Sequence, residues 1–390
     1  MRRMRSFAPF AFAVALASVC ACNVYDPSLL DPTDGGGDAC TTCGGKCVDL
    51  TTDPTHCGAC GKTCKGTCAA STCQADVLLD GRNAPHMIAV DDTQVFFTEY
   101  SAVQITAVDK LTGQNLVVVA GQAVYPEALV LDATDVYWTN ANDLVGGIGK
   151  APKTGGGAQL GKSLPTPSAI AMDGSGFVYV TTGPTNKAPS CASNAYTFSV
   201  VRCPTSGCFV QTGCPTSGGP EVVLTDTSVP SAIAIAGTTL YLASRTGRYI
   251  KSCTLPACSD LTEFPNSTLS GPTDLVVTAD ALFVADTDGG NVLRCDRVTK
   301  ACVPLAGKID QPWRMAASGK DLYFTAYGRG VAGAAGLFHC ALPDCKGAPQ
   351  KLASGTGLYG VAVDATNVYF TEEGSTGGSS LDGRVLRIAR

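Results

Sequence analysis

Apolar and polar residues alternate along most of this chain with the two-residue period of a β-strand, in runs of five or six broken by Gly-, Asp- and Thr-containing turns. One phrase recurs. Its clearest copy is Pro126-Glu127-Ala128-Leu129-Val130-Leu131-Asp132-Ala133-Thr134-Asp135-Val136-Tyr137-Trp138-Thr139-Asn140: a proline, an apolar strand, an Asp-containing turn, and a second strand ending in Thr and a polar residue. The opening proline returns at Pro85, Pro126, Pro167, Pro230, Pro272 and Pro312, and a seventh copy starts near Leu358 without it. The steps are 41, 41, 63, 42 and 40 residues, a period that signals a propeller or a solenoid.

After each hairpin come a glycine-rich link, a third strand such as Val292-Leu293-Arg294, and a fourth such as Val303-Pro304-Leu305-Ala306. Four strands per unit make one propeller blade. The seventh unit stops at its third strand, Arg384 to Ile388, while Asp76-Val77-Leu78-Leu79-Asp80, ahead of the first phrase, matches the fourth-strand segments of other units. The pattern therefore predicts an all-β, seven-bladed propeller over residues 76–390. Its N-terminal strand completes the last blade, so no seam exposes unpaired backbone groups.

Tyr137-Trp138-Thr139-Asn140 and Tyr179-Val180-Thr181-Thr182 resemble the Tyr-Val-Thr-Asn repeat of bacterial surface-layer propellers, and similar phrases occur in propellers such as virginiamycin B lyase. The resemblance covers the repeats only. It implies the architecture and carries no activity with it.

Ahead of the repeats, Arg2, Arg3 and Arg5 precede an apolar stretch from Phe7 to Val19 that is short for a bilayer span, as in a signal peptide over residues 1–21. Val19-Cys20-Ala21-Cys22 resembles the lipobox of bacterial lipoproteins. That resemblance implies cleavage before Cys22, acylation of Cys22 and anchorage in a lipid bilayer, with Asn23 pointing to an outer-membrane lipoprotein of the cell envelope; the plain alternative is an ordinary secretory signal. Residues 22–39, with Pro27, Pro32 and three consecutive glycines, read as a flexible tether. The net charge is −5, and loss of the three leader arginines takes it to −8. With no basic cluster, nucleic acid is not an expected partner.

Of the 20 cysteines, 18 follow Cys22, an even number in an exported chain, which favours disulfides. Eight of them (Cys40, Cys43, Cys47, Cys57, Cys60, Cys64, Cys68, Cys73) crowd into residues 40–74, a segment too small to bury a core without cross-links. The Cys40/Cys43 and Cys57/Cys60 spacings beside His56 also fit zinc, but the oxidising compartment favours bridges, whose pairing the sequence leaves open. Cys203/Cys208, Cys253/Cys258, Cys295/Cys302 and Cys340/Cys345 each fall between a third and a fourth strand and are expected to staple that outer hairpin. Cys191 and Cys214 lie in the long third unit. They are assigned to each other by elimination, although three pairings are possible among Cys191, Cys203, Cys208 and Cys214.

Propellers bind ligands at the channel mouth, where the residues after each repeat proline (His86, Glu127, Ser168, Ser231, Thr273, Trp313, Tyr359) and those after the second strands (Glu99, Tyr100, Asn140, Thr182, Arg245, Asp286, Tyr327, Glu372, Glu373) converge. From these two rings the expected ligand-binding residues are Glu127, Asn140, Arg245, Asp286, Trp313, Tyr327, Tyr359 and Glu372. The aromatics suit stacking on a sugar or a flat ligand. His86 with Glu99 or Glu127 is the candidate acid–base pair if the protein is an enzyme of lyase or lactone-hydrolase type, and the simpler reading makes His86 a strand-end residue. Glu99, Glu127, Asp286 and Glu372 together have the chemistry for calcium, although solvated carboxylates are the commoner case. The chain contains no Gly-x-Ser-x-Gly elbow, His-Glu-x-x-His helix, phosphate loop or dinucleotide fingerprint. No cofactor is therefore expected, and the preferred reading is a non-enzymatic binding scaffold for a protein or glycan.

Overall fold

The computed structural model describes residues 40–64, 66–69, 71–121, 123, 125–141, 146–162, 164–183, 198–206, 220–226, 228–265, 269–328, 334–345, 348–374 and 381–390. The expected leader, tether and lipid attachment at Cys22 lie outside these residues, as do Cys191, Cys208 and Cys214. All of the regular structure described is β, in seven four-stranded antiparallel sheets and two short hairpins.

Each sheet is one blade. In blade 1 the strands run Pro85–Val90, Gln94–Glu99, Gln104–Asp109 and Val117–Gly121 from the channel outward. Blade 7 contains Leu358–Val363, Asn367–Glu372 and Gly383–Ala389, and its fourth strand is Asp76–Arg82, antiparallel to Gly383–Ala389 with Val385 opposite Leu79 and Arg387 opposite Asp76. The N-terminal strand thus closes the ring. Seven apolar clusters fill the seven spaces between neighbouring blades. The closing one packs Ile88, Phe97 and Val108 of blade 1 on Ala362, Tyr369 and Val385 of blade 7. Second strands sit mid-sheet between two such clusters, which is why runs such as Val136-Tyr137-Trp138 are apolar on both faces and fully buried.

The polar letters of the repeat hold this packing together. The turn aspartate between first and second strands caps its own hairpin: Asp132 Oδ1 accepts from the Thr134 and Asp135 amides at 2.8 and 2.7 Å, and Asp364 Oδ1 does the same for Thr366 and Asn367. The second-strand tyrosine donates back to that aspartate, at 2.8 Å for Tyr137 and 3.2 Å for Tyr369. A lysine of the following blade completes the set, Lys153 on Asp91 at 3.0 Å and Lys110 on Asp364 at 2.8 Å, so the second of these pairs bridges the closure between blades 7 and 1. Burial works against the charged form of Asp364, but Lys110 and the turn amides outweigh it and hold the carboxyl well below the usual range.

The threonine that ends the second strand answers an irregularity in the first. In blades 1, 2, 5, 6 and 7 the pairing shifts between the proline position and the residues two or three further on. Within that bulge an amide is left over, and the threonine hydroxyl accepts it: Met87 to Thr98 at 3.0 Å, Ala128 to Thr139 at 3.1 Å, Arg314 to Thr325 at 3.2 Å and Gly360 to Thr371 at 2.8 Å. The same hydroxyl can donate onward to the next blade, as Thr325 does to the Tyr359 carbonyl at 2.7 Å and Thr371 to the His86 carbonyl at 2.5 Å. Blades 4 and 5 have Ala243 and Ala285 at this position. There Ser231 reaches the Pro272 carbonyl and Thr287 the Pro312 carbonyl instead.

In the cysteine-rich segment, bridges join Cys43 to Cys60, Cys57 to Cys68 and Cys64 to Cys73, and Cys40 and Cys47 are also disulfide-bonded. The two Cys-x-x-Cys pairs are therefore split between different bridges. The Cys57, Cys64 and Cys68 sulfurs lie within 4.8 Å of one another because two bridges stack. His56 accepts from the Gly61 amide at 2.9 Å. In the propeller, Cys253–Cys258, Cys295–Cys302 and Cys340–Cys345 link third strands to the chain just beyond them, and Cys203 is disulfide-bonded. Such bridges belong to an extracellular or periplasmic protein. Among the described residues no helix is long and apolar enough to cross a membrane.

Candidate functional site at the channel mouth

First strands enter the channel wall through a tight backbone turn. The residue before the proline has a left-handed φ of 46° at Ala84, 51° at Tyr125, 37° at Thr166 and 57° at Gln311, and Gly357 takes the same place in blade 7. Outside glycine this conformation costs about 1–2 kcal/mol. It aims the flanking side chains into the mouth.

A cavity of about 300 Å³ results, lined by His86, Tyr100, Glu127, Arg245, Gln311, Trp313, Tyr327, Tyr359 and Glu373. It is built mainly by blades 1, 2, 6 and 7. The corresponding residues of blades 3 to 5 are Ser168, Ser231 and Thr273, whose hydroxyls serve as ties to strand ends and the next blade. His86 is 6% exposed and sandwiched: its ring stacks on Tyr359 at 4.1 Å and 6°, and on Tyr100 at 4.8 Å and 24°. Neither ring nitrogen makes a hydrogen bond; Nε2 faces Glu373 Oε1 at 3.4 Å without the alignment for one. Glu373 accepts from the Tyr327 hydroxyl at 2.7 Å. Trp313 stands edge-on to Tyr359 at 5.7 Å, and its buried Nε1 also makes no hydrogen bond. Arg245 is held by two bonds to Asp288 at 2.9 and 2.5 Å.

Beneath the mouth, Arg314 donates to the Thr273 carbonyl at 2.9 Å and faces Asp274 at 3.9 Å. Asp274 accepts from the Met315 amide at 2.7 Å. Desolvation inside the channel pushes its carboxyl up to about 6, outweighing the pull of Arg314 and the amides, although 19% of the side chain still meets water. Burial likewise pushes the Tyr359 hydroxyl well above its ordinary value, and the charge of Glu127 adds to the shift.

Of the residues expected at the mouth, His86, Glu127, Arg245, Trp313, Tyr327 and Tyr359 line the cavity. Glu99, Asn140, Asp286 and Glu372 do not. Each ends a second strand; Glu99, Asp286 and Glu372 turn inward to tie down the chain entering their own blades, and Asn140 binds within its own strand. Glu99 accepts from Arg82 at 3.0 and 2.7 Å and from Thr106 and Gln104; burial alone would raise its carboxyl, and these bonds bring it below the ordinary value. Asp286 accepts from the Ser270 and Gly271 amides at 3.0 and 2.6 Å, and Glu372 from the Thr356 amide at 2.7 Å and Arg384 at 2.6 Å. Asn140 accepts from Trp138 Nε1 at 3.0 Å. The four acids considered for calcium are thus distributed over blades 1, 2, 5 and 7, three of them already bonded. The acid beside His86 is Glu373, one residue beyond the strand-end position, and neither Glu99 nor Glu127. Gln311 was not anticipated at all; its signal is its place just before a repeat proline.

A second cleft, of about 400 Å³, lies between the cysteine-rich segment and the rim of blades 6 and 7, among Lys62, Asp321, Tyr323, His339, Lys351 and Arg390. Its larger size does not make it the better candidate. Asp321 already binds His339 at 2.7 Å and Arg390 at 2.9 Å, whereas the mouth holds buried polar atoms with nothing to bind.

No protein-family model matches the chain, and no curated protein does. Solved structures do. A streptogramin B lyase superposes with a TM-score of 0.59 at 16% identity, covering 81% of this chain and 97% of that one. A catalytically inactive virginiamycin B lyase from Staphylococcus aureus, with quinupristin, gives 0.60 at 19% identity over 81% and 98%. The WD40 propeller domain of Doa1 gives 0.58 at 11% identity over 80% and 95%. The fold is a seven-bladed β-propeller. At these identities the likeness extends to the fold alone.

Proposed function

We propose that this protein is an exported propeller lipoprotein, anchored to the cell envelope through Cys22, that holds a protein or glycan partner at the mouth of its channel. The observation that carries this reading is the mouth cavity itself, where two polar side chains, His86 and Trp313, bury nitrogens with no hydrogen-bond partner. Buried polar atoms cost about 1–3 kcal/mol each when unsatisfied, a cost that a ligand arriving there removes. The repeat's resemblance to surface-layer propellers and the disulfides agree with display outside the cytoplasm.

A second reading, a lyase-type enzyme, has one observation in its favour: His86 and Glu373 lie 3.4 Å apart in the cavity, a base with a carboxylate beside it. Against it, the His86 ring is clamped between Tyr100 and Tyr359 and makes no hydrogen bond to Glu373.

The test uses the full chain with Cys22→Ser, to keep it soluble, as bait for envelope extracts and a glycan array. A specific partner should be retained by this chain and lost by both Glu127→Ala and Trp313→Ala. Retention by both variants would place binding elsewhere on the molecule. Turnover of a captured ligand, abolished by His86→Ala, would instead favour the enzyme.

A further inference from the structure

The chemistry of the mouth narrows the ligand class, on the premise that the mouth is the binding site. Ring faces there are already occupied. Trp313 has the Arg314 guanidinium at 5.5 Å from its centroid and that of Arg245 at 5.9 Å, while Tyr359 has His86 stacked on it and Arg314 at 5.7 Å. A cage for a quaternary ammonium needs open aromatic faces, and these two rings do not supply them. What these residues and His86 leave without a hydrogen bond is the Trp313 N–H, beside the Tyr359 hydroxyl, and the two His86 nitrogens, and the Gln311 amide lines the same cavity. His86 can donate from one nitrogen and accept at the other. A ligand rich in hydroxyl groups, each both donor and acceptor, matches that set.

Charge supplies the second constraint. Arg245 is neutralised by Asp288, and Arg314 sits beneath the cavity beside Asp274. Glu127 is half-buried on the cavity wall; its charge reaches Tyr100, Tyr359 and also Arg314, which it shares with Asp274, and Glu373 adds a second carboxylate to the wall. A half-buried carboxylate in such a wall favours a cationic group and disfavours another acid.

We infer that the channel mouth takes a sugar residue bearing a free amine, its hydroxyls on His86, Gln311 and the Trp313 N–H and its ammonium on Glu127. A cavity of about 300 Å³ is at the small end of ligand sites, the scale of one or two sugar rings.

The experiment is calorimetric titration of the full Cys22→Ser chain with oligomers of glucosamine, N-acetylglucosamine, glucose and lysine, at a pH where amines are protonated and carboxylates ionised. Glucosamine oligomers should bind about tenfold more tightly than their N-acetylated counterparts, the size of one charge-assisted hydrogen bond. Glu127→Gln should erase that margin with the melting temperature unchanged, and Trp313→Ala should abolish binding. Equal binding of acetylated or neutral oligomers, lost in Trp313→Ala, would overturn the amine assignment and leave the mouth as a binding site. Tighter binding of oligolysine would overturn the sugar in favour of a basic peptide. No oligomer binding at all would overturn the inference, and a protein partner that still depended on Trp313 would preserve the mouth.

Discussion

At the scale of single residues, the repeat threonine is the part of the phrase with the most consequences. Thr371 accepts the bulge amide of Gly360 and donates to the His86 carbonyl across the ring closure. Thr371→Val keeps the shape and strands both groups, so unfolding free energy should fall by about 1–3 kcal/mol. Denaturant titration checks this, with Thr154→Val on an exposed turn as a control expected to be near neutral; equal effects would refute the tie. Gly360 has a reason of its own, since any side chain there would run into the His86 carbonyl. Asp274 gives a pH-dependent signal. With its folded pKa raised to about 6, above its unfolded value, its contribution to stability is fully present below the unfolded pKa and lost as pH rises through about 6. Isotope-edited infrared spectroscopy should show this carboxyl titrating near 6, and titration near the ordinary 4 would mean that the channel is wetter than its packing indicates.

At the scale of elements, the sequence was most legible where strand identity follows from period and turn chemistry. The hairpins could be read because Pro, Asp and Thr punctuate most of them at similar intervals, and where the Asp and the Thr occur the structure shows them holding bonds. The mouth was less legible. Whether a strand-end acid faces ligand or backbone depends on a single residue of register: Glu372 binds its own chain while Glu373 lines the cavity. Alternation cannot decide this at the point where the strand stops and the backbone turns. Gln311 depends on a left-handed backbone that the pattern does not announce. The cysteine-rich segment was opaque for another reason, because eight cysteines allow 105 pairings and no periodicity selects among them. Among the outer hairpins, Cys295–Cys302 closes a seven-residue separation between directly opposed residues. Replacing both by serine should cost about 2 kcal/mol in the chain-entropy account. Comparison of thermal unfolding with and without the replacement measures it, and no change would mean the ladder alone sets the hairpin.

At the scale of the whole molecule, stability depends on a complete circle. Leu79→Pro removes an amide from the strand that closes blade 7, opposite Val385. It should lower the melting temperature by more than Ala353→Pro, the matching position opposite Leu337 on the outer strand of blade 6, because only the first also frees the two ends of the array. Equal losses would mean that blades 7 and 1 adhere through Ile88, Phe97 and Tyr369 without the strand.

The closing strand comes after the cysteine-rich segment with almost no intervening chain, Cys73 being bridged to Cys64 and Asp76 already paired with Arg387. Any tension entering the ring from that side arrives at the last rung of an antiparallel ladder. Rungs loaded from one end give way one after another, at far lower force than rungs sheared together. The closure would thus act as a mechanical fuse, the first part of the ring to yield.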